Sequence, residues 1–270
     1  MCSADRICPS GVYLFVSDTL SFDGKVKALK ISVVTVCLNA EATIEQTIES
    51  VIGQTFQDKE YLIIDGVSAD DTQKIVQKYE YREEIRFFSQ KDTGLYNAMN
   101  KGIDLCKGDY IIFLNSGDAF VDKDVLARVA EQAKAELVYG NVLRVFEKEE
   151  RLEKYPGKNA AFRLMLMGKM PCHQVIFARR ETMRRYRFDE SFRICADFDF
   201  MVRCLRDKVP MQYIDVTVSR VDCVDGVSSQ RENLERMRRE DDRSIRKWFP
   251  GWYWALRGPK GVVRGWKNNL

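Results

Sequence analysis

Short apolar runs alternate with stretches whose apolar residues recur every three or four positions, and from residue 31 this alternation predicts a parallel sheet covered by helices. Ile31 to Cys37 reads as a first strand, and Ile44, Ile48, Val51 and Ile52 then share one face of a helix over residues 43 to 54. Tyr61 to Ile64 supplies a second strand ending on Asp65, after which Ser68 and Asp71 predict a capped helix through about residue 79. Ile85 to Phe88 is a third strand, Leu95, Met99 and Ile103 line the next helix, and Tyr110 to Leu114 is a fourth strand. The second half is less regular. It reads as a helix near 123 to 135, a strand from Leu137 to Phe146, a charged loop over 147 to 158 and a strand from Val175 to Ala178. A helix from Ala196 to Arg206 and a last strand from Met211 to Val218 complete it.

With 270 residues, 45% of them hydrophobic and 31% charged, the chain can bury one large core or two small ones. Lysine and arginine total 43 against 40 acids, a net charge of +3, which excludes a general nucleic-acid binder and confines any basic surface to a local patch. The eight cysteines include no C-x-x-C pair, which points to reduced thiols in a cytoplasmic protein and away from a disulfide frame or a zinc site. No apolar stretch approaches the ~20 residues of a membrane span, and Val12 to Val16 is too short for the core of an export signal.

Three carboxylates, Asp65, Asp92 and Asp118, follow predicted strands or precede predicted helices. In an open α/β sheet the carboxyl ends of the strands gather along one crevice, so all three are expected to face a single ligand. Asp118 closes the run Tyr110-Ile111-Ile112-Phe113-Leu114-Asn115-Ser116-Gly117-Asp118, in which an apolar strand delivers one carboxylate onto a turn. That placement suits a hard divalent cation shared with phosphate oxygens. The same Asn-Ser-Gly-Asp residues are ordinary turn formers, and the pattern by itself leaves both readings open. Asp197, at the start of a predicted helix, is either a catalytic base or a helix cap. His173, the one histidine, is either a ligand-binding residue or a structural one.

The order of these segments carries a resemblance. Ser32-Val33-Val34-Thr35-Val36-Cys37-Leu38-Asn39 comes first, then Ile63-Ile64-Asp65-Gly66-Val67-Ser68-Ala69-Asp70, then Asp92-Thr93-Gly94-Leu95-Tyr96-Asn97-Ala98-Met99-Asn100-Lys101-Gly102. With Phe188-Asp189-Glu190 and Ala196-Asp197-Phe198-Asp199 downstream, the chain resembles family-2 glycosyltransferases of the GT-A fold over about residues 31 to 230. Within that family it is most similar to bacterial enzymes that build exopolysaccharide, colanic-acid-like or lipopolysaccharide chains. The resemblance implies a Rossmann-like α/β fold with a mixed, mainly parallel sheet flanked by helices. It further implies a metal-dependent, inverting transfer of a sugar from a nucleotide-diphosphate donor to a hydroxyl of a saccharide acceptor, one that is lipid-linked.

By the same resemblance, Val36, Leu38, Asn39, Asp65, Asp92, Gly117 and His173 contact the donor, with Asp65 on the nucleobase and Asp92 near the ribose. Asp118 is the implied ligand of Mn2+ or Mg2+, and Asp197 the implied base that takes the acceptor proton. There are two departures from the family pattern. Asn115 and Gly117 stand where members carry more acids, and Leu38 stands where members commonly carry an aromatic ring. Asp225-Gly226-Val227-Ser228-Ser229 resembles a family loop beside the site. A sugar nucleotidyltransferase would have a similar crevice and metal site, and the thinned acidic motif would suit a non-catalytic sugar-nucleotide or glycan-binding protein. Asp197, at a helix start well after the metal motif, favours glycosyl transfer.

The chain is thus expected to divide into an N-terminal extension over 1 to 29, a catalytic domain over 30 to 230 and a basic tail over 231 to 270 that holds all four tryptophans. After Asp242 no acid follows, while Arg243, Arg246, Lys247, Arg257, Lys260, Arg264 and Lys267 do. Rings interleaved with cations suit the headgroup layer of an anionic membrane; the alternative is that the rings pack on the body or on a second subunit. Arg203 and Arg206 are expected as solvated residues on a helix face.

Overall fold

The computed structural model describes residues 29–155, 170–224, 231–251 and 253. In its first half, β1 (Ile31–Cys37), β2 (Lys59–Asp65), β3 (Ile85–Ser89) and β4 (Tyr110–Phe113) pair in parallel in the order β3-β2-β1-β4. Helices α1 (Ile44–Ile52), α2 (Thr72–Gln77) and α3 (Leu95–Leu105) make the crossovers. Every residue of β1 and β2 is buried, because helices cover both faces of a parallel sheet; this is why the strands are mostly apolar, with Val33, Val34 and Val36 in β1 and Tyr61 to Ile64 in β2. Chain order reverses between β1 and β4, and the crevice at such a switch point is where open α/β sheets take ligands.

The second half contains β5 (Ala119–Phe120), α4 (Val125–Gln132), β6 (Leu137–Val145), β7 (Glu150–Glu153), β8 (Ile176–Arg179), α5 (Arg180–Tyr186), α6 (Ala196–Arg206), β9 (Met211–Asp222) and α7 (Arg231–Trp248). The sheet continues from β4 through β8, β6 and β9 to β5, with β7 added on β6. β6 and β9 run parallel, while β8, β5 and β7 each pair antiparallel to a neighbour, so the sheet is mixed with most of its ladder parallel. Between β6 and β9 the register shifts around Gly140, where a Cβ would fall 2.3 Å from the Val216 carbonyl oxygen.

Several sequence expectations change here. The expected loop over 147 to 158 contains β7, and the last strand runs past Val218 to Asp222. α5 is new: its sequence is mostly charged, and only Thr182, Met183 and Tyr186 are buried. The tail is a helix of 18 residues as far as Trp248, two residues before Pro250. α7 does not stand apart from the body, because Cys195, Phe198 and Val202 of the α6 region form a small core with Ile245 and Tyr253. Trp248 and Phe249 pack against that core. Trp252, Trp254, Trp266 and the 225 to 229 loop lie outside the described residues. Among the described residues no helix is long and apolar enough to cross a membrane. Cys37, Cys106, Cys172, Cys195, Cys204 and Cys223 are free thiols.

Candidate active site

One wall of the crevice comes from the ends of β1 and β2. Leu38 is 58% exposed, and beside it lies Gly66, where a Cβ would meet Asp92 Oδ2 at 2.7 Å and Leu38 Cδ1 at 3.3 Å. The missing side chain therefore lets Leu38, the β2 loop and Asp92 close into one surface. Asp92 is anchored by the Gly94 N–H, which donates to its Oδ1 at 2.9 Å ahead of α3.

Beneath this wall the loop is tied by polar groups. Asp65 is fully buried; its carboxylate accepts from the backbone and hydroxyl of Ser68, from the Val67 N–H at 3.1 Å and from Ser89 Oγ at 2.7 Å. Asn39 takes a left-handed backbone (φ 51°), donates its N–H to Ser68 Oγ at 2.8 Å and accepts from the Ala69 N–H at 2.9 Å. Val36 is 5% exposed inside β1. Val36 and Asp65 are thus both buried beneath this wall. Val67 holds φ 68°, an outlier for a β-branched residue, and is 52% exposed at the rim.

The opposite wall begins where β4 ends. Gly117 adopts φ 97°, a conformation that side chains resist, and its N–H donates to Thr47 Oγ1 at 3.0 Å. Thr47 Oγ1 in turn donates to the Asp118 carbonyl at 2.8 Å, so α1 pins the turn from two sides. Gly117 thus holds the turn through its backbone. Asp118 is 6% exposed, and Gln174 Nε2 donates to its Oδ2 at 3.1 Å. Burial pushes the Asp118 carboxyl up to about 6, against the pull of the Gln174 hydrogen bond and of His173.

His173 joins this wall to α6. Its Nε2 lies 2.9 Å from Asn115 Nδ2 and its Nδ1 lies 3.0 Å from Asp197 Oδ2. A neutral imidazole satisfies both contacts, accepting from Asn115 and donating Nδ1–H to Asp197. The helix begins after Cys195, so Asp197 lies inside its first turn and is not its cap residue; its Oδ1 accepts from the Phe198 N–H at 2.8 Å. Burial opposes ionisation of Asp197, but the bonds from His173 and the backbone outweigh it and hold the carboxyl below its usual range. Its side chain stays 20% exposed, open to the crevice. Two consecutive residues, His173 and Gln174, therefore hold two of the four carboxylates that the sequence singled out, Asp197 and Asp118.

The segment leading to Asp197 is secured from behind. Glu240 of α7 accepts the N–H groups of Arg193, Ile194 and Cys195 at 3.0, 2.9 and 2.9 Å, and Tyr96 of α3 donates its hydroxyl to the Ile194 carbonyl. Asp199, fully buried, accepts from Ser244 Oγ at 2.8 Å, Trp248 Nε1 at 2.9 Å and Arg203 Nε at 2.7 Å. Arg203 is thus drawn inward onto Asp199 and is not the solvated residue expected, whereas Arg206 stays exposed on the helix face, its guanidinium over the Trp248 ring at 4.3 Å.

The donor set tolerates a divalent cation. Asn115 Oδ1 and Gln174 Oε1 are buried oxygens without a hydrogen-bond partner, on the two residues that touch His173 and Asp118. Among the described residues no group of three His, Cys, Asp or Glu could hold a metal. One carboxylate with neutral oxygens suits Mg2+ or Mn2+, which keep several waters and complete their shell with phosphate oxygens.

Residues 32–202 match the family model described as glycosyl transferase family 2, and the chain belongs to that family. It is 31% identical over 218 residues to a PGL/p-HBAD biosynthesis glycosyltransferase of Mycobacterium bovis, covering 77% of this chain and 82% of that one. The fold is shared with Staphylococcus aureus TarS 1–349, solved with UDP-GlcNAc (TM-score 0.65, 17% identity, 82% of this chain and 68% of that one). The mannosyltransferase PcManGT of Pyrobaculum calidifontis, solved with GDP-Man and Mn2+, aligns with a TM-score of 0.57 at 17% identity, covering 86% of this chain and 66% of that one. This chain therefore spans about two thirds of those solved chains. The fold is GT-A and the protein is a glycosyltransferase.

Sequence reasoning passed over Asn115 as a missing acid and did not single out Gln174, Gly66 or Glu240. Gln174 had a signal in its place next to His173. Glu240 had none, because its partners lie 45 to 47 residues away.

Proposed function

We propose that this glycosyltransferase moves a sugar from a nucleotide-diphosphate donor to a saccharide hydroxyl with inversion at the anomeric carbon, using Asp197 as the base. The observation that carries the reading is the His173–Asp197 hydrogen bond at 3.0 Å, beside the Gln174–Asp118 bond at 3.1 Å. A sugar hydroxyl is a poor nucleophile, and a positioned base contributes about 10²- to 10⁴-fold. The acceptor oxygen bonds to the anomeric carbon, its proton passes to the Asp197 carboxylate, and the bond to the diphosphate breaks with the electron pair leaving on the nucleotide. A depressed pKa makes Asp197 a weaker base in exchange for being ionised at every physiological pH. The hydrogen bond from His173 Nδ1 fixes the carboxylate orientation and stabilises its ionised form.

Leu38, Gly66 and Asp92 form the donor wall, with Leu38 giving apolar cover to the base in place of a stacked ring. Asp118 would hold Mn2+ or Mg2+, with Asn115 and Gln174 as the nearby neutral oxygen donors. The bound cation would neutralise the departing diphosphate. A lipid-linked acceptor at the cytoplasmic face accords with the free thiols among the described residues and with the cationic helix α7.

The test is to screen nucleotide sugars with and without Mn2+, and to examine fresh product by proton NMR. Inverted anomeric configuration, lost in Asp197→Asn, is the expected result; a retained configuration overturns the mechanism.

A further inference from the structure

We infer that the outward face of α7 is a docking surface for an anionic lipid bilayer. α7 sorts its charges by side. Glu240 and Asp241 turn toward the body, the first onto the backbone of 193 to 195 and the second buried. Glu232 and Glu235 are exposed but lie in the first turns. From Arg236 onward every exposed charged side chain of the helix is basic: Arg236, Arg238, Arg239, Arg243, Arg246 and Lys247, of which Arg239 pairs with Glu235 at 2.9 Å and Lys247 with Asp189 at 3.7 Å. In a chain whose net charge is only +3, this is a strong local concentration.

Four of these cations, Arg239, Arg243, Arg246 and Lys247, line a groove of about 450 Å³ together with Asp242. Three are held in place by rings. The Arg243 guanidinium lies 3.6 Å from the Phe192 ring centre, Arg246 lies 4.6 Å from that of Tyr253, and Lys247 Nζ lies 4.5 Å from that of Trp248. Charges ordered beforehand lose less entropy on binding. From Arg236 to Lys247 the row runs ~16 Å along the helix axis, farther than one phosphate spans and suited to a field of lipid headgroups.

The sequence after residue 253 continues with Arg257, Lys260, Arg264 and Lys267 and no acid, so the charge keeps its sign. Trp248, by contrast, gives its indole N–H to buried Asp199, so the first attraction of this face is electrostatic and not ring insertion. The docking needs no sugar transfer, and its failure would leave the reaction proposed above untouched.

Co-sedimentation of the full-length protein with phosphatidylglycerol–phosphatidylcholine vesicles, against phosphatidylcholine alone, tests it. Wild type should bind the anionic vesicles only, less as salt rises. Arg236→Gln/Arg239→Gln/Lys247→Gln should weaken binding by about fivefold per charge removed, roughly a hundredfold in all. Arg236→Lys/Arg239→Lys/Lys247→Arg should bind as wild type does. Should the triple glutamine variant lose its melting transition, Arg236→Gln/Arg239→Gln should still show a loss of roughly 25-fold. Equal binding to neutral vesicles, no binding by wild type, or full binding by the folded glutamine variants would overturn the proposal. Displacement from vesicles by inorganic phosphate at matched ionic strength would also overturn it, marking a site for a single phosphate.

Discussion

Asp118 and Asp197 share one crevice, yet their surroundings push their protonation in opposite directions: burial raises the first and a histidine bond lowers the second. A carboxyl whose folded pKa lies above its unfolded value stabilises the native state while protonated, fully below about pH 4, and that contribution is lost as pH rises through the folded value. For Asp118 that value is about 6, so ionising it in metal-free buffer costs native stability. Asp118→Asn cannot ionise there. Between about pH 4 and pH 7 the wild type should therefore lose up to ~3 kcal/mol relative to the variant, read from paired melting curves. The same variant should lose any gain in nucleotide affinity from Mn2+, and undiminished metal dependence would refute Asp118 as the ligand. Asp197→Asn should keep donor affinity while turnover falls by roughly 10²- to 10⁴-fold. Unchanged turnover would return Asp197 to a structural role. Both aspartates and His173 stood out in the sequence because short motifs surround them. Their pairing did not, since His173 and Asp197 are 24 positions apart and Gln174 and Asp118 are 56 apart.

At the scale of the element, legibility follows burial. β1 and β2 are buried throughout, so their middles are apolar, and both were readable. β7 and α5 face solvent along most of their length and carry no periodic signal; pairing with β6 and packing of a few side chains hold them. Two contacts give element-level tests. Gly140→Ala would press a methyl group to within 2.3 Å of the Val216 carbonyl, a backbone atom that cannot swing aside, and should cost ~2 kcal/mol or more in a denaturant melt. Glu240→Ala leaves three backbone N–H groups ahead of α6 without their acceptor, at about 1 to 3 kcal/mol. Because that segment delivers Asp197, kcat should fall while donor affinity holds; a fall in affinity alone would mean that α7 supports the wrong wall.

Across the whole molecule, the order of motifs along the chain gave the fold, and the rings at the C-terminal end gave a less complete picture. Trp248, Phe249 and Tyr253 pack on α6, as the alternative reading of the tail required, and the basic residues of α7 from Arg236 on are exposed. A chain ending at Asp242 would lose Ser244 and Trp248 from buried Asp199 and Ile245 from the small core. It should melt well below the full-length protein and lose turnover with stability; an unchanged melting temperature would show that these contacts contribute little.

The adjacency of His173 and Gln174 limits how the enzyme can be recombined. Relatives that differ in donor and acceptor invite chimeras that join the first half of one to the second half of another. Here a junction between Asp118 and His173 would exchange the dipeptide together with Asp197 but leave behind Asn115 and Asp118, the groups that complete its hydrogen bonds. The two halves of the chain are thus not separable modules at this crevice. A productive hybrid must carry Asn115, Asp118, His173, Gln174 and Asp197 as one inherited block, whatever surrounds them.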